Sequence, residues 1–390
     1  MSTYRSPIAN IQIQRTKHVV GSIARTVLAL TFLFSGFVKA VDPLGTVYKI
    51  EDYLQLGFGG VLEWAIPIAG GLAVTLITVE ILLGVCMLFN VCTKWTSIAT
   101  LLFYLIMTPV TLYIAIDNPV TDCGCFGDAL VISNWQTFGK NVVLLLMTII
   151  LLICRKAIPR LFSWWAELII ALIALGATAG IMGYSYTHLP FIDFRPYKVG
   201  ADVKELTQGP SPDTWDVTLI YEKDGEQQEF TLENYPKDGE WTFVDQISTP
   251  CKLVNGKKEP ISLEPKVKDF VLTQYFNEEM DGFGEEYTDV ILDLEKVTLI
   301  AMYDLDKRDK TQALRAVDLC KELLKKGEEC YILTGSNIEE VMAFADEMEL
   351  SYDVFLYLDK TPLKTIVRAN PGIVVMEDGV IVSKNNMRQL

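Results

Sequence analysis

AIPIAGGLAVTLITVEILLGVCMLF, residues Ala65–Phe89, carries one charge, Glu80, in twenty-five positions, and its reading decides the fold. A hydrocarbon core takes about 20 helical residues to cross. The apolar side chains run on without alternating at every second position, so a helix rather than a barrel strand satisfies this backbone in lipid. Four further stretches read the same way: Val20–Val41, Thr96–Ile116, Phe138–Cys154 and Trp164–Tyr186. The expected first half is therefore an α-helical membrane bundle, a four-helix core followed by a fifth connecting helix. Trp64, Trp95, Trp135, Trp164 and Trp165 fall at the ends of these spans, where amphipathic rings settle at the headgroup level.

Outside the spans the chain is a different material. Residues 1–186 hold 11 Lys+Arg and 9 Asp+Glu, whereas residues 187–390 hold 23 and 40, charges of +2 and −17. Half of all residues are hydrophobic, which excludes intrinsic disorder, and nothing in the composition suits collagen or a coiled coil. The acidic second half argues against nucleic acid, whose phosphates need Lys and Arg. Arg5, Arg15, Lys17, Lys94, Arg155, Lys156 and Arg160 flank the spans on one side, against Lys49 alone in the loops 42–63 and 117–137. That bias expects a cytoplasmic N-terminus and, after five crossings, a C-terminal domain in the periplasm of a bacterial inner (cytoplasmic) membrane protein. The first apolar run is too long for the h-region of a signal peptide and lacks a small-x-small site, so no cleavage is expected.

This topology sorts the eight cysteines. Cys86, Cys92 and Cys154 fall toward the reducing side, and Cys123, Cys125, Cys251, Cys320 and Cys330 toward the oxidising one. Five cannot all pair within one chain. Cys123 and Cys125 stand in Asp122-Cys123-Gly124-Cys125-Phe126-Gly127-Asp128, between the third and fourth spans. A disulfide across one glycine closes a small ring at the cost of strain, and strain makes it more oxidising. Three readings stay open: a dithiol/disulfide couple as the catalytic site, two structural thiols, or half of a metal site. No metal is expected, since His18 and His188 fall on opposite faces and no second ligand pair is at hand. Cys251 is the candidate for an unpaired outer thiol, and Cys320 and Cys330 are the candidates for a structural bridge.

Charges inside spans cost about 2.5–3.5 kcal/mol at the bilayer centre on insertion scales. Arg25 and Lys39 lie near opposite ends of the first span and are placed to snorkel to the headgroups. Glu80 lies deeper. Paired with Arg25 or protonated, it faces the bundle interior and belongs to a proton path, a quinone-like pocket or an interhelical hydrogen bond.

Arg25-Thr26-Val27-Leu28-Ala29-Leu30, Ser35-Gly36-Phe37-Val38-Lys39 with Asp42-Pro43, Glu80-Ile81-Leu82-Leu83-Gly84 and Cys123-Gly124-Cys125-Phe126-Gly127 together resemble the DoxX/MauE group of four-helix membrane proteins over about residues 20–154. The resemblance implies a membrane thiol or quinone redox role, since MauE is associated with disulfide formation in methylamine dehydrogenase and DoxX relatives with quinone-coupled sulfur oxidation. It implies no substrate for this chain.

Beyond a loop-rich Pro190–Pro212, strands are expected at Trp215–Tyr221 and Glu229–Leu232, around the turn signal Lys223-Asp224-Gly225. Val297–Tyr303, a helix over 311–326 with Leu314, Val317 and Leu323–Leu324 on one face, and Cys330–Leu333 read as βαβ. Ile338–Met348 follows as a helix, then a hairpin of Gly372–Met376 and Val380–Ser383. This order, with Asn370-Pro371 at the hairpin's entry, resembles an α/β thioredoxin-like domain over about 290–386. The resemblance implies a cis proline at Pro371, a residue that becomes the candidate binding position. The sequence departs from the family where Cys-x-x-Cys should follow the first strand: Asp304-Leu305-Asp306-Lys307-Arg308-Asp309 stands there instead.

The expected domains are an N-terminal segment 1–19, the bundle 20–154, the fifth helix 164–186, a linker and β-rich segment 187–289 and the thioredoxin-like domain 290–390. Two functions compete. In one, an oxidoreductase exchanges Cys123 and Cys125 with the thiols of a periplasmic protein client, and a quinone in the bundle is the cofactor. In the other, the bundle anchors a redox-silent thioredoxin fold that binds or assembles an envelope partner. Transport ranks below both, because one deep acidic residue offers little to line a polar path and no internal repeat is visible. Membrane lipid is a partner under all three.

Overall fold

The computed structural model describes residues 7–120, 123–237, 239–275, 284–306 and 308–389, and its chain divides after Arg195 into two units. Arg5, Asp122 and Lys307 of the sequence reading lie outside the described residues.

In the first unit, among the described residues, five helices are long and apolar enough to cross a membrane. Helix α1 (Pro7–Val41) is longer than its apolar run, because the polar residues before Val20 carry on the helical hydrogen bonding. The expected loop 42–63 holds a second helix, α2 (Pro43–Leu56). Asp42 caps it by accepting from the Gly45 N–H, and Pro43 opens it where no amide partner is needed. Helices α3 (Ala69–Leu88), α4 (Thr93–Asp117), α5 (Asn134–Cys154) and α6 (Trp164–Thr187) follow. Helix α5 starts a turn ahead of Phe138, because Ser133 and Gln136 form a capping box and Asn134 and Thr137 turn inward.

Leu28, Ala29, Phe32, Leu83, Met87, Tyr104, Leu144 and Leu151 fill the bundle core, while Leu30, Leu102, Ile106, Leu146 and Ile173 point outward, a surface suited to lipid. Helices α1 and α3 approach closely through small residues, as expected where lipid gives no hydrophobic drive for association. A Cβ on Gly36 would lie 2.6 Å from Ile81 Cγ1, and one on Gly84 would lie 2.8 Å from Leu33 Cγ. Gly36→Ala is therefore expected to destabilise the bundle by about 1–3 kcal/mol through overpacking. A thermal scan of the detergent-solubilised protein checks this, and an unchanged midpoint would contradict the close approach.

Among the described residues, the second unit carries two sheets. Strands β1 (Thr214–Lys223), β2 (Glu226–Thr231), β3 (Thr242–Val254) and β4 (Lys257–Pro260) form an antiparallel sheet in the order β2-β1-β3-β4. The expected Asp224-Gly225 turn joins β1 to β2, with both residues at positive φ, 53° and 83°. A short helix α7 (Val203–Gln208) interrupts the loop-rich Pro190–Pro212.

The larger sheet has β5 (Thr273–Gln274), β6 (Lys296–Ala301), β7 (Glu329–Thr334), β8 (Phe355–Tyr357), β9 (Gly372–Glu377) and β10 (Val380–Asn386) in the order β10-β9-β6-β7-β8-β5. Strands β6, β7 and β8 are parallel, and β9, β10 and β5 run against their neighbours. Helices α8 (Thr288–Leu292), α9 (Lys310–Lys325), α10 (Ile338–Met348) and α11 (Lys360–Ile366) complete an α/β domain. The edge strand β5 comes from ahead of residue 290. Helix α9 presents Ala313, Ala316, Val317 and Cys320 to the core, whereas Leu314 and Leu324 are exposed. Of the expected apolar face, Val317 is buried and Leu323 packs against the core, while Leu314 and Leu324 do not, and the small alanines let the helix approach the sheet.

Candidate functional site

The loop between α4 and α5 brings two thiols together. Asn118 ends α4 in the left-handed region at φ 48°, and Gly124 and Gly127, at φ 60° and 52°, turn the chain back, with the Gly127 N–H donating to the Gly124 carbonyl. The Cys123 and Cys125 sulfurs lie 3.0 Å apart, partly buried. A Cβ on Gly127 would lie 2.9 Å from Val38 Cγ1, and one on Gly124 would press on Lys49 Cγ at 3.2 Å.

Beneath the loop the bundle supplies a buried polar chain. Lys39 Nζ is 2.8 Å and 2.9 Å from the two carboxylate oxygens of Glu80, with both side chains 6% exposed. Lys39 also donates to Ser35 Oγ at 2.8 Å, and Ser35 Oγ lies 2.9 Å from Glu80 Oε2 and 2.6 Å from the Cys125 carbonyl. Ser35 and Lys39 are one helical turn apart on α1, so both reach Glu80 of α3. The ion pair in the bundle and the thiol loop are one hydrogen-bonded structure.

This arrangement corrects two expectations. Lys39 does not snorkel, because Glu80 compensates its charge inside the bundle. Arg25 does not pair with Glu80: its guanidinium donates to the Met87 carbonyl at 3.0 Å and so covers the open C-terminal carbonyls of α3.

The surroundings make the two thiols unequal. The Cys125 pKa is lowered, first by the hydrogen bond from Cys123 and then by the Lys140 and Lys39 ammoniums, against the pull of burial. The Cys123 pKa is raised by the same hydrogen bond and by burial, with Tyr53 and Lys140 opposing. Cys125 is thus the favoured thiolate and Cys123 the proton holder. Lys140 also lies over the Phe126 ring, 4.2 Å from its centroid, and Phe126 packs on Phe34 at 5.3 Å.

In the second unit, Pro371 follows a cis peptide bond from Asn370, at the entry to β9. Asn370 Nδ2 donates to the Asp304 carbonyl at 3.2 Å, and the Asp304 carboxylate accepts from Lys360 Nζ at 3.2 Å. The stretch after β6 therefore carries an ion pair where the resemblance calls for thiols.

Sequence reasoning missed Ser35, Tyr53 and Lys140 as site residues, and Glu167 as a buried charge. Glu167 on α6 is held by Arg160 at 2.6 Å and 2.7 Å and accepts from the Cys92 N–H at 3.3 Å. Only Ser35 had a sequence signal, its position one turn before Lys39.

Fold and site together define a multi-pass helical membrane protein with a paired-thiol loop and a C-terminal α/β unit. Residues 17–154, which contain every residue of the thiol site, match the family model described as methylamine utilisation protein MauE. Residues 216–252 match a domain of unknown function, DUF8463. No curated protein and no solved structure matches the chain.

Proposed function

We propose that Cys123 and Cys125 are an exchanging dithiol/disulfide couple on the non-cytoplasmic face of a bacterial inner membrane, oxidising the thiols of an envelope protein. The observation that carries this reading is the hydrogen-bonded chain from the buried Lys39–Glu80 pair through Ser35 to the backbone carbonyl of Cys125, whose sulfur lies 3.0 Å from that of Cys123. Buried charge is expensive in a bilayer, and here it is placed under a thiol pair. Stabilising the Cys125 thiolate stabilises the reduced state, which makes the disulfide a stronger oxidant. Two client thiols lose two protons and two electrons as their S–S bond forms, and the Cys123–Cys125 S–S bond breaks and takes up both electrons, one proton going to Cys123 and the other to solvent while Cys125 stays a thiolate.

A membrane quinone is the proposed electron acceptor. The Thr108 and Thr137 hydroxyls, on α4 and α5, are buried and have no hydrogen-bond partner among the described residues, so each has a donor free for a quinone oxygen. Such a group would take two electrons and two protons to become the quinol; these hydroxyls would hold it. The DoxX-like reading points the same way, and the Lys and Arg bias of the span flanks supports the orientation. A thiol pair exchanges with thiols, so the proposed client is a protein thiol rather than methylamine.

The second reading, a binding or assembly protein, is favoured by the Asp304–Lys360 pair after β6. Under it the C-terminal unit is a thioredoxin-like fold without thiol chemistry, with Pro371 on its peptide-binding surface.

Acid-quenched membranes, alkylated before and after reduction, separate the two. A Cys123–Cys125 bridge that is partly reduced in growing cells, with client oxidation lost in Cys123→Ser, is the expected result. Thiols that stay free throughout, with client oxidation unchanged in the variant, would overturn the exchange reading.

A further inference from the structure

We propose that Cys320 and Cys330 are joined by a disulfide that ties helix α9 to strand β7. Cys320 is on the buried face of α9 and Cys330 on the neighbouring strand, and both are sealed in the α/β core at 0% and 1% exposure. Both belong to one buried core cluster, with Ala316, Val317 and Ile332 around them. Ala313, Ala316 and Val317 give α9 the small inner face that brings Cys320 so near the sheet. Paired buried thiols on a fold that matures in an oxidising compartment are substrates for bridging.

The fifth cysteine of that set does not compete. Cys251 lies on β3 in the other sheet, 1% exposed, with its thiol donating to the Thr249 carbonyl. Bridging of Cys320 to Cys330 releases two protons and two electrons, and a disulfide-bearing thiol oxidoreductase accepts the electrons and becomes a dithiol. Because neither sulfur is exposed after folding, the bond forms before α9 docks. With this pair closed and Cys251 buried, thiol exchange on the outer side is left to Cys123 and Cys125, Cys86, Cys92 and Cys154 lying toward the reducing side of the proposed topology.

The inference rests on the outward placement of the C-terminal unit in the proposed topology, not on exchange at Cys123. The full-length protein, acid-quenched in membranes, is unfolded with N-ethylmaleimide present and digested with trypsin without reductant. A cross-linked species of peptides 316–321 and 327–360 that separates on reduction is expected, and Cys320→Ala should leave Cys330 alkylated. The linked species with Cys123 and Cys125 permanently free would uphold this bridge and remove the exchange reading. Alkylated Cys320 and Cys330 beside a bridged Cys123–Cys125 would overturn the bridge alone. All four thiols alkylated in every sample would overturn both, together with the topology.

Discussion

Glu80→Gln in a chain that keeps Lys39 is expected to cost about 3–5 kcal/mol of stability, the range for a buried ion pair that loses one member. Lys39 is buried, with its ammonium between two Glu80 oxygens and Ser35 Oγ. Glutamine keeps the shape of glutamate and one acceptor oxygen but removes the charge, so the ammonium stays desolvated without its counter-ion. Lys39→Met should be comparably harmful, since it strands the carboxylate. The double variant Lys39→Met/Glu80→Leu should recover most of the loss, because pairing two buried charges roughly offsets the desolvation of both. A double-mutant cycle of denaturation midpoints in detergent measures this coupling. If the two single variants were as stable as the parent, the pair would not be a buried ion pair in solution. Client oxidation should stay impaired even in the stable double variant, because the thiol loop then has no charged support below it. Recovery of activity along with stability would assign the pair a structural role only.

The spans were legible because bilayer thickness translates directly into runs of apolar residues, and Ala65–Phe89 needed no neighbour to be read. The Asp224-Gly225 hairpin and the β6-α9-β7 unit were legible for a similar reason, since turn chemistry and short apolar runs are local. Helix α2 was hidden because its signal lies in a cap, Asp42 with Pro43, followed by a mixed surface. The face of α9 was legible at Val317 and Leu323 but not at Ala313 and Ala316, because close packing on a sheet selects alanine, which carries little hydrophobic signal. In the site, Cys123, Cys125, Lys39 and Glu80 stood out as residue types that are costly or reactive where they are. Their association did not, because it depends on the crossing of α1 and α3 at Gly36 and Gly84, a tertiary fact. Arg25 and Lys39 look alike in sequence as two basic residues of one span, yet one covers carbonyls and the other neutralises a carboxylate. Ser35, Tyr53 and Lys140 are ordinary residues made functional by what the fold places beside them.

Cys125 is expected to alkylate as a thiolate at neutral pH, and Cys123→Ala to slow that reaction about tenfold or more below pH 8, the effect of one unit of pKa on the thiolate fraction. The sign follows from the causes. A lowered pKa means that the thiolate persists as pH falls, and the hydrogen bond from Cys123 is the largest reason that the Cys125 pKa is low. Alanine removes that donor and leaves burial opposed only by Lys140 and Lys39, so the midpoint of the rate profile moves to higher pH. Cys125→Ser tests the other half of the asymmetry. Its remaining thiol, Cys123, keeps the burial that raises its pKa and should react slowly until the solution is strongly alkaline. Pre-reduced protein in membranes, pulsed with iodoacetamide across a pH series and read by mass spectrometry at each cysteine, gives both profiles. Equal profiles for the two thiols, or an unchanged Cys125 profile in Cys123→Ala, would mean that the loop does not polarise the pair. The disulfide would then have no thiolate stabilisation to make it oxidising, and client oxidation at this site would lose its driving force.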